Sequence, residues 1–191
     1  MKKTITYFDK PGSENTEEMI KLAYERALEL NIRDIVVAST HGNTALKVAE
    51  TFGDERFNIV AVTICEGYKS EGWAMSGEER AKLQVKGVKI ITGIHALGDG
   101  VNSAFTEKFG GKSFNEVVAQ TLYRFCQGMK VCVEIVLMAA DAGLIPVDGE
   151  VIAIAGTDEG ADTATVIKPA YPKKFLDLSI KEVIAKPREG T

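Results

Sequence analysis

The chain has 191 residues, 45% of them hydrophobic and 26% charged, enough apolar content for a sizeable core under an ordinary solvated surface. Lysine and arginine number 23 against 27 aspartates and glutamates, and the net charge of −4 excludes a globally basic nucleic-acid binder. Cys65, Cys126 and Cys132 stand at no paired spacing, which gives neither a disulfide framework nor a metal site.

At the N-terminus, Lys2 and Lys3 precede no apolar signal core. The longest apolar run, residues 131–140, is interrupted by Glu134 and is too short to span a bilayer. A cytoplasmic protein with no membrane or nucleic-acid partner is expected. Residues 4–8 fit an additional edge strand. Over 17–30, Ile20, Ala23, Tyr24, Ala27 and Leu30 recur at helical spacing, with Thr16 placed as a cap. Ile35, Val36, Val37 and Ala38 follow without polar alternation, as in a strand buried on both faces of a parallel sheet. Residues 44–52 predict a helix, 58–63 a second apolar strand, 77–86 a short charged helix and 88–91 a third strand. The glycine-rich stretch 98–111 predicts a mobile surface loop, and 114–142 one long helix or two with a break near Gly128. Residues 151–155 predict a fourth core strand and 163–168 a last one. Only 7 residues separate these two, too few for a parallel crossover, so the last strand should run antiparallel. Leu176, Ile180 and Ile184 stand four apart and predict a short helix over 175–186. The pattern is that of an α/β fold, a three-layer α/β/α sandwich with a mostly parallel sheet and an antiparallel last strand. One domain over 1–191 is expected, with the edge strand and helix of 1–30 and the extension 172–191 packed on it.

Chemistry should gather where strands end. In parallel sheets those ends share one edge, where ligands bind. The first strand runs into Ser39, Thr40, His41, Gly42, Asn43 and Thr44, the second into Thr63, the third into Thr92 and Gly93, and the fourth into Gly156 and Thr157. In the first loop Gly42 can take a positive φ that turns successive amides toward one point, and the following helix start favours an anion. Hydroxyls of Ser39, Thr40 and Thr44 could complete a phosphate cradle; an empty helix capped by Asn43 is the alternative. No lysine follows as a Walker sequence requires. Glu134 sits among apolar neighbours and needs a partner, either a ligand or Lys130 or Arg124. His95 lies just past the third strand, where a general-acid role is conceivable. Cys65 is placed to line the site, and Tyr68 and Trp73 to offer it an aromatic face, or else to serve as lid or contact residues. Cys126 and Cys132 read as helix packing.

The run Val36-Val37-Ala38-Ser39-Thr40-His41-Gly42-Asn43-Thr44-Ala45, followed by Ile59-Val60-Ala61-Val62-Thr63, resembles the carboxy-terminal α/β domain of pyruvate kinase. Gly149 to Gly156 and Thr163 to Ile167 resemble that domain's final hairpin, and the likeness extends over about residues 31–171. The chain is similar to stand-alone archaeal proteins that consist of this domain without the catalytic barrel, so phosphotransfer to ADP is not expected. The resemblance implies an effector site in which the loop of Ser39 to Thr44 holds a phosphate. The hairpin that would help a second phosphate reads Gly156-Thr157-Asp158-Glu159-Gly160-Ala161-Asp162, acidic where the family is basic, which disfavours a bisphosphate. The stand-alone relatives look like flavin mononucleotide (FMN) binders. That implies a phosphate on the first loop and ribityl hydroxyls at Thr63 and at Asp158 or Asp162. Three functions follow: a binding domain for FMN or another phosphorylated metabolite, an FMN-dependent oxidoreductase, or a ligand-free regulatory or assembly subunit. Self-association into a homo-oligomer is expected from the family's subunit contacts.

Overall fold

A computed structural model describes residues 2–53 and 55–189. Among these, β1 (Thr6–Phe8), β2 (Asp34–Ala38), β3 (Asn58–Val62), β4 (Lys89–Ile91), β5 (Val151–Ala155), β6 (Thr163–Lys168) and β7 (Ser179–Pro187) form one sheet in the order β1-β7-β6-β5-β2-β3-β4. Its helices are α1 (Thr16–Leu30), α2 (Asn43–Phe52), α3 (Gly77–Val85), α4 (Val101–Phe109), α5 (Phe114–Tyr123) and α6 (Gln127–Asp141).

The unbroken apolar runs are explained by what lies on each side. Successive strand residues point to opposite faces. Ile35 and Val37 of β2 enter a core shared with Met19, Ile20 and Ala23 of α1 and Val48 and Phe52 of α2. Val36 between them enters a second core with Cys132, Val133 and Val136 of α6. Helices therefore cover both faces, giving the three-layer sandwich expected from the sequence.

All pairings are parallel except those of β6 with β5 and β7, so β6 alone runs against the other strands. The carboxyl ends of the rest and the start of β6 share one edge. Residues 163–168 are antiparallel as expected, yet they are not the last strand. The C-terminal segment forms a 3-10 turn at Pro172–Asp177 and then β7, not a helix over 175–186. A spacing of four satisfies a strand's period of two as well as a helix. The free edges of β6 and β1, with β-branched Ile180, Val183 and Ile184, decide for the strand. Leu176, counted into the helical pattern, is almost fully exposed.

The stretch 98–111 is also corrected. Its glycines punctuate the ends of a helix, α4, with Gly110 closing it at φ +76° and Val101, Phe105 and Phe109 spaced along one side. Residues 114–142 divide at 124–126, just before Gly128. That glycine lies in the first turn of α6, where a Cβ would come within 2.3 Å of Thr163 Oγ1. Thr16 is not the cap but the first residue of α1. Its hydroxyl donates to the Ser13 carbonyl (2.7 Å) and accepts the Ala161 amide (2.9 Å), tying α1 to the β5–β6 hairpin.

Candidate functional site

The β2–α2 junction reverses the chain in four residues. Gly42 holds φ +88° at the helix N-cap, and a Cβ on it would approach Leu83 Cδ1 of α3 to 3.2 Å, so backbone and packing both require glycine. The Ser39 amide bonds the Val62 carbonyl (3.0 Å), and its hydroxyl oxygen accepts the Ala45 amide (3.2 Å). Ser39 thus performs the capping that Asn43 was placed to do. The Thr40, His41, Gly42, Asn43 and Thr44 amides find no protein acceptor among the described residues. Unpaired amides at a helix start carry about half a positive charge and orient toward an anion.

The loop opens onto a cleft of about 1060 Å³. Ser39, Thr40, His41, Asn43 and Thr44 line it, with Thr63, His95, Glu134, Gly156, Thr157 and Asp158. The structure therefore brings together eleven of the residues singled out from sequence. Gly42 is turned under α3 and shapes the loop from behind. Gly93 follows β4 at the end of the sheet, while the cleft lies over β5, β2 and β3.

Asp162, placed in the site from sequence, is fully buried and does not line the cleft. One carboxylate oxygen accepts the Gly12 (3.0 Å) and Thr157 (3.2 Å) amides, and the other the Thr163 hydroxyl (2.7 Å). Its charge is spent on holding the β1–α1 loop to the hairpin. The hairpin glycines permit that closeness: a Cβ at Gly160 would meet Thr16 Oγ1 at 2.3 Å, and one at Gly156 the Gly160 carbonyl at 2.8 Å.

His41 is exposed, its Nδ1 3.2 Å from Glu79 Oε1. The Ser76 amide and hydroxyl, more than His41, hold the Glu79 carboxyl below its usual range. The His95 ring spans the cleft rim: Nδ1 lies 2.7 Å from Asp99 Oδ2 and Nε2 3.4 Å from the Thr63 carbonyl. Tyr68 donates its phenol to Asp99 Oδ1 (2.8 Å). That bond, then burial, pushes Tyr68 up to about 12, because a phenolate would face the Asp99 carboxylate. Tyr68 and Trp73 stack on each other, ring centres 5.4 Å apart, and neither lines the cleft, so the expected aromatic face belongs to the rim. Cys65 is buried outside the lining as well. Burial pushes the Cys132 thiol up, in keeping with a packing role.

Glu134 resolves in favour of Lys130. Lys130 Nζ donates to Oε2 (2.5 Å) and the Leu97 amide to Oε1 (2.9 Å), both side chains being almost wholly buried, whereas Arg124 donates to the Gln120 carbonyl (3.1 Å). Sequence reasoning missed the walls given by Pro11, Ser13 and Thr16 and by Gln127, Lys130 and Val131. The first set follows from β1 running parallel to β7, which makes residues 9–13 another strand-end loop. The Pro11-Gly12 turn behind an edge strand was the only trace of it in the sequence.

The profile of the family described as "Pyruvate kinase, alpha/beta domain" matches residues 17–167. A crystal structure of Cryptosporidium parvum pyruvate kinase is similar at 16% identity and TM-score 0.42, covering 84% of this chain and 23% of that one. The same organism's enzyme in complex with ADP is similar at 16% identity and TM-score 0.41, covering 94% of this chain and 25% of that one. The chain thus spans about a quarter of the length of these enzymes. With the family profile covering most of the sequence, the chain belongs to the pyruvate kinase alpha/beta domain family.

Proposed function

We propose that the chain is a small-ligand binding domain for a phosphorylated ligand, FMN foremost, whose phosphate rests on the loop of Ser39, Thr40, His41, Gly42, Asn43 and Thr44. The observation that carries this proposal is the run of five amides at the mouth of α2 that find no acceptor among the described residues. The donor set fits FMN. A phosphate suits the amides and the Thr40 and Thr44 hydroxyls, while Thr63, Thr157 and Asp158 offer partners for ribityl hydroxyls. Ala38, Leu46, Val62, Ile64, Val131 and Ile135 give apolar walls for a flat ring. Asp158 and Glu159, which also line the cleft, disfavour a second phosphate. Flavin, when bound, supplies reversible two-electron chemistry; the residues named here would anchor it. Other phosphorylated metabolites with an uncharged remainder fit the same donors. Titration of the purified protein with FMN and riboflavin, followed by flavin fluorescence, tests the proposal. Saturable FMN binding at least tenfold tighter than riboflavin is expected, and failure to bind FMN removes the flavin assignment.

An FMN-dependent oxidoreductase is the second proposal, favoured by one observation: His95, oriented by Asp99, lines the cleft and could hold or deliver a proton there. Anaerobic mixing of the FMN complex with nicotinamide donors tests it; no reduction across donors argues for binding alone. Self-association is supported by α4, which buries none of its residues and exposes Val101, Phe105 and Phe109. Sedimentation of the protein checks that point.

A further inference from the structure

Lys130 and Glu134 stand one turn apart on α6, their side chains 10% and 4% exposed, and both line the cleft. A buried ion pair is weak evidence for a stability role, because desolvation offsets most of the attraction. This one is also incompletely satisfied. The ammonium has three N–H donors, and Glu134 Oε2 takes one; the Tyr123 ring, 5.9 Å away, offers only its face. Each Glu134 oxygen accepts one hydrogen bond, from Lys130 or from the Leu97 amide, and keeps a lone pair free. The floor of the cleft therefore presents a donor beside an acceptor, with no net charge.

We infer that Lys130 and Glu134 read a lactam or imide edge on the ring-bearing part of the ligand. Nζ donates to a ring carbonyl oxygen, and the Glu134 carboxylate accepts from the adjacent ring N–H. The inference rests on the phosphate-anchored ligand proposed above and narrows its class to phosphate esters bearing a ring with neighbouring C=O and N–H groups, as the pyrimidine half of a flavin has. A second phosphate does not suit this point, since Glu134 neutralises Lys130 and the Asp158 and Glu159 carboxylates share the cleft. Division of labour follows: the α2 loop binds charge, and the α6 pair selects the ring.

The test compares FMN with N3-methyl-FMN, which has the same phosphate and lacks the ring N–H, on the unmodified protein. N3-methyl-FMN is expected to bind about 10- to 100-fold more weakly, the usual cost of leaving a buried charged acceptor without its donor. The variant K130M/E134M removes both charges together and leaves neither stranded. It should bind the two flavins equally, and its affinities for FMN and riboflavin should fall by the same factor. Equal affinity of the unmodified protein for FMN and N3-methyl-FMN overturns the inference while leaving the phosphate site standing. A variant that loses FMN affinity but keeps riboflavin affinity overturns it too, by assigning Lys130 to the phosphate. Absence of any FMN binding by the unmodified protein overturns the inference together with the flavin assignment.

Discussion

At Gly42 two constraints coincide, a left-handed backbone and a contact with Leu83. Gly42→Val should lower stability by about 1–3 kcal/mol, the cost of a bulky side chain at positive φ, and should abolish phosphate-ester binding. Denaturant melts and FMN titration check the two effects separately. Tyr68 gives a prediction in pH. Its folded value of about 12 lies above the ordinary 10, so between those limits the unfolded chain sheds a proton that the folded one retains. The Tyr68 contribution to stability is therefore whole below pH 10 and is lost as pH rises toward 12. Ultraviolet titration should find one late phenolate, and Asp99→Asn should bring it earlier. Ser39 to Thr44 were legible in the sequence because strand, small polar residues, glycine and helix are contiguous. The Asp99 bridge between Tyr68 and His95 was not, since the carboxylate joins a 3-10 turn to a distant loop.

Elements meet at this edge through a few crowded contacts. Gly128 presses α6 on Thr163, and Gly128→Ala should cost about 2 kcal/mol by overpacking, read as a lowered denaturation midpoint. Asp162→Ala strips the Gly12 and Thr157 amides and the Thr163 hydroxyl of their acceptor; a loss of about 3 kcal/mol is expected in the same assay. Apolar strands and amphipathic helices of the middle of the chain were legible, because local periodicity and burial agree there. Ambiguity arose where one spacing serves two structures. Ile180 and Ile184 suit either a helix or a strand, and only the open edges of β6, the strand just before, and of β1, at the other end of the chain, select between them. In α4, flanking glycines masked a helix whose apolar residues face outward.

For the whole molecule, sheet order controls what the cleft is made of. Because β1 lies beyond β7 and runs parallel to it, residues near the start of the chain pack directly against those after β5, and both line one cleft. Binding should therefore stabilise the entire fold: FMN at a hundred times its Kd adds about 2.7 kcal/mol, a rise of roughly 5–10 °C in Tm for a protein of this size. Calorimetry with and without FMN reads it. The three-layer class was legible from alternating strands and helices, whereas the position of β1 was not, since no local pattern tells which edge a short strand joins. The carboxylate shared by Gly12 and Thr157 has a kinetic corollary. These two backbone protons should trade with deuterium at linked rates, slowing in concert when ligand settles and parting company once Asp162 is replaced, so that an event at the hairpin is reported at the amino-terminal turn.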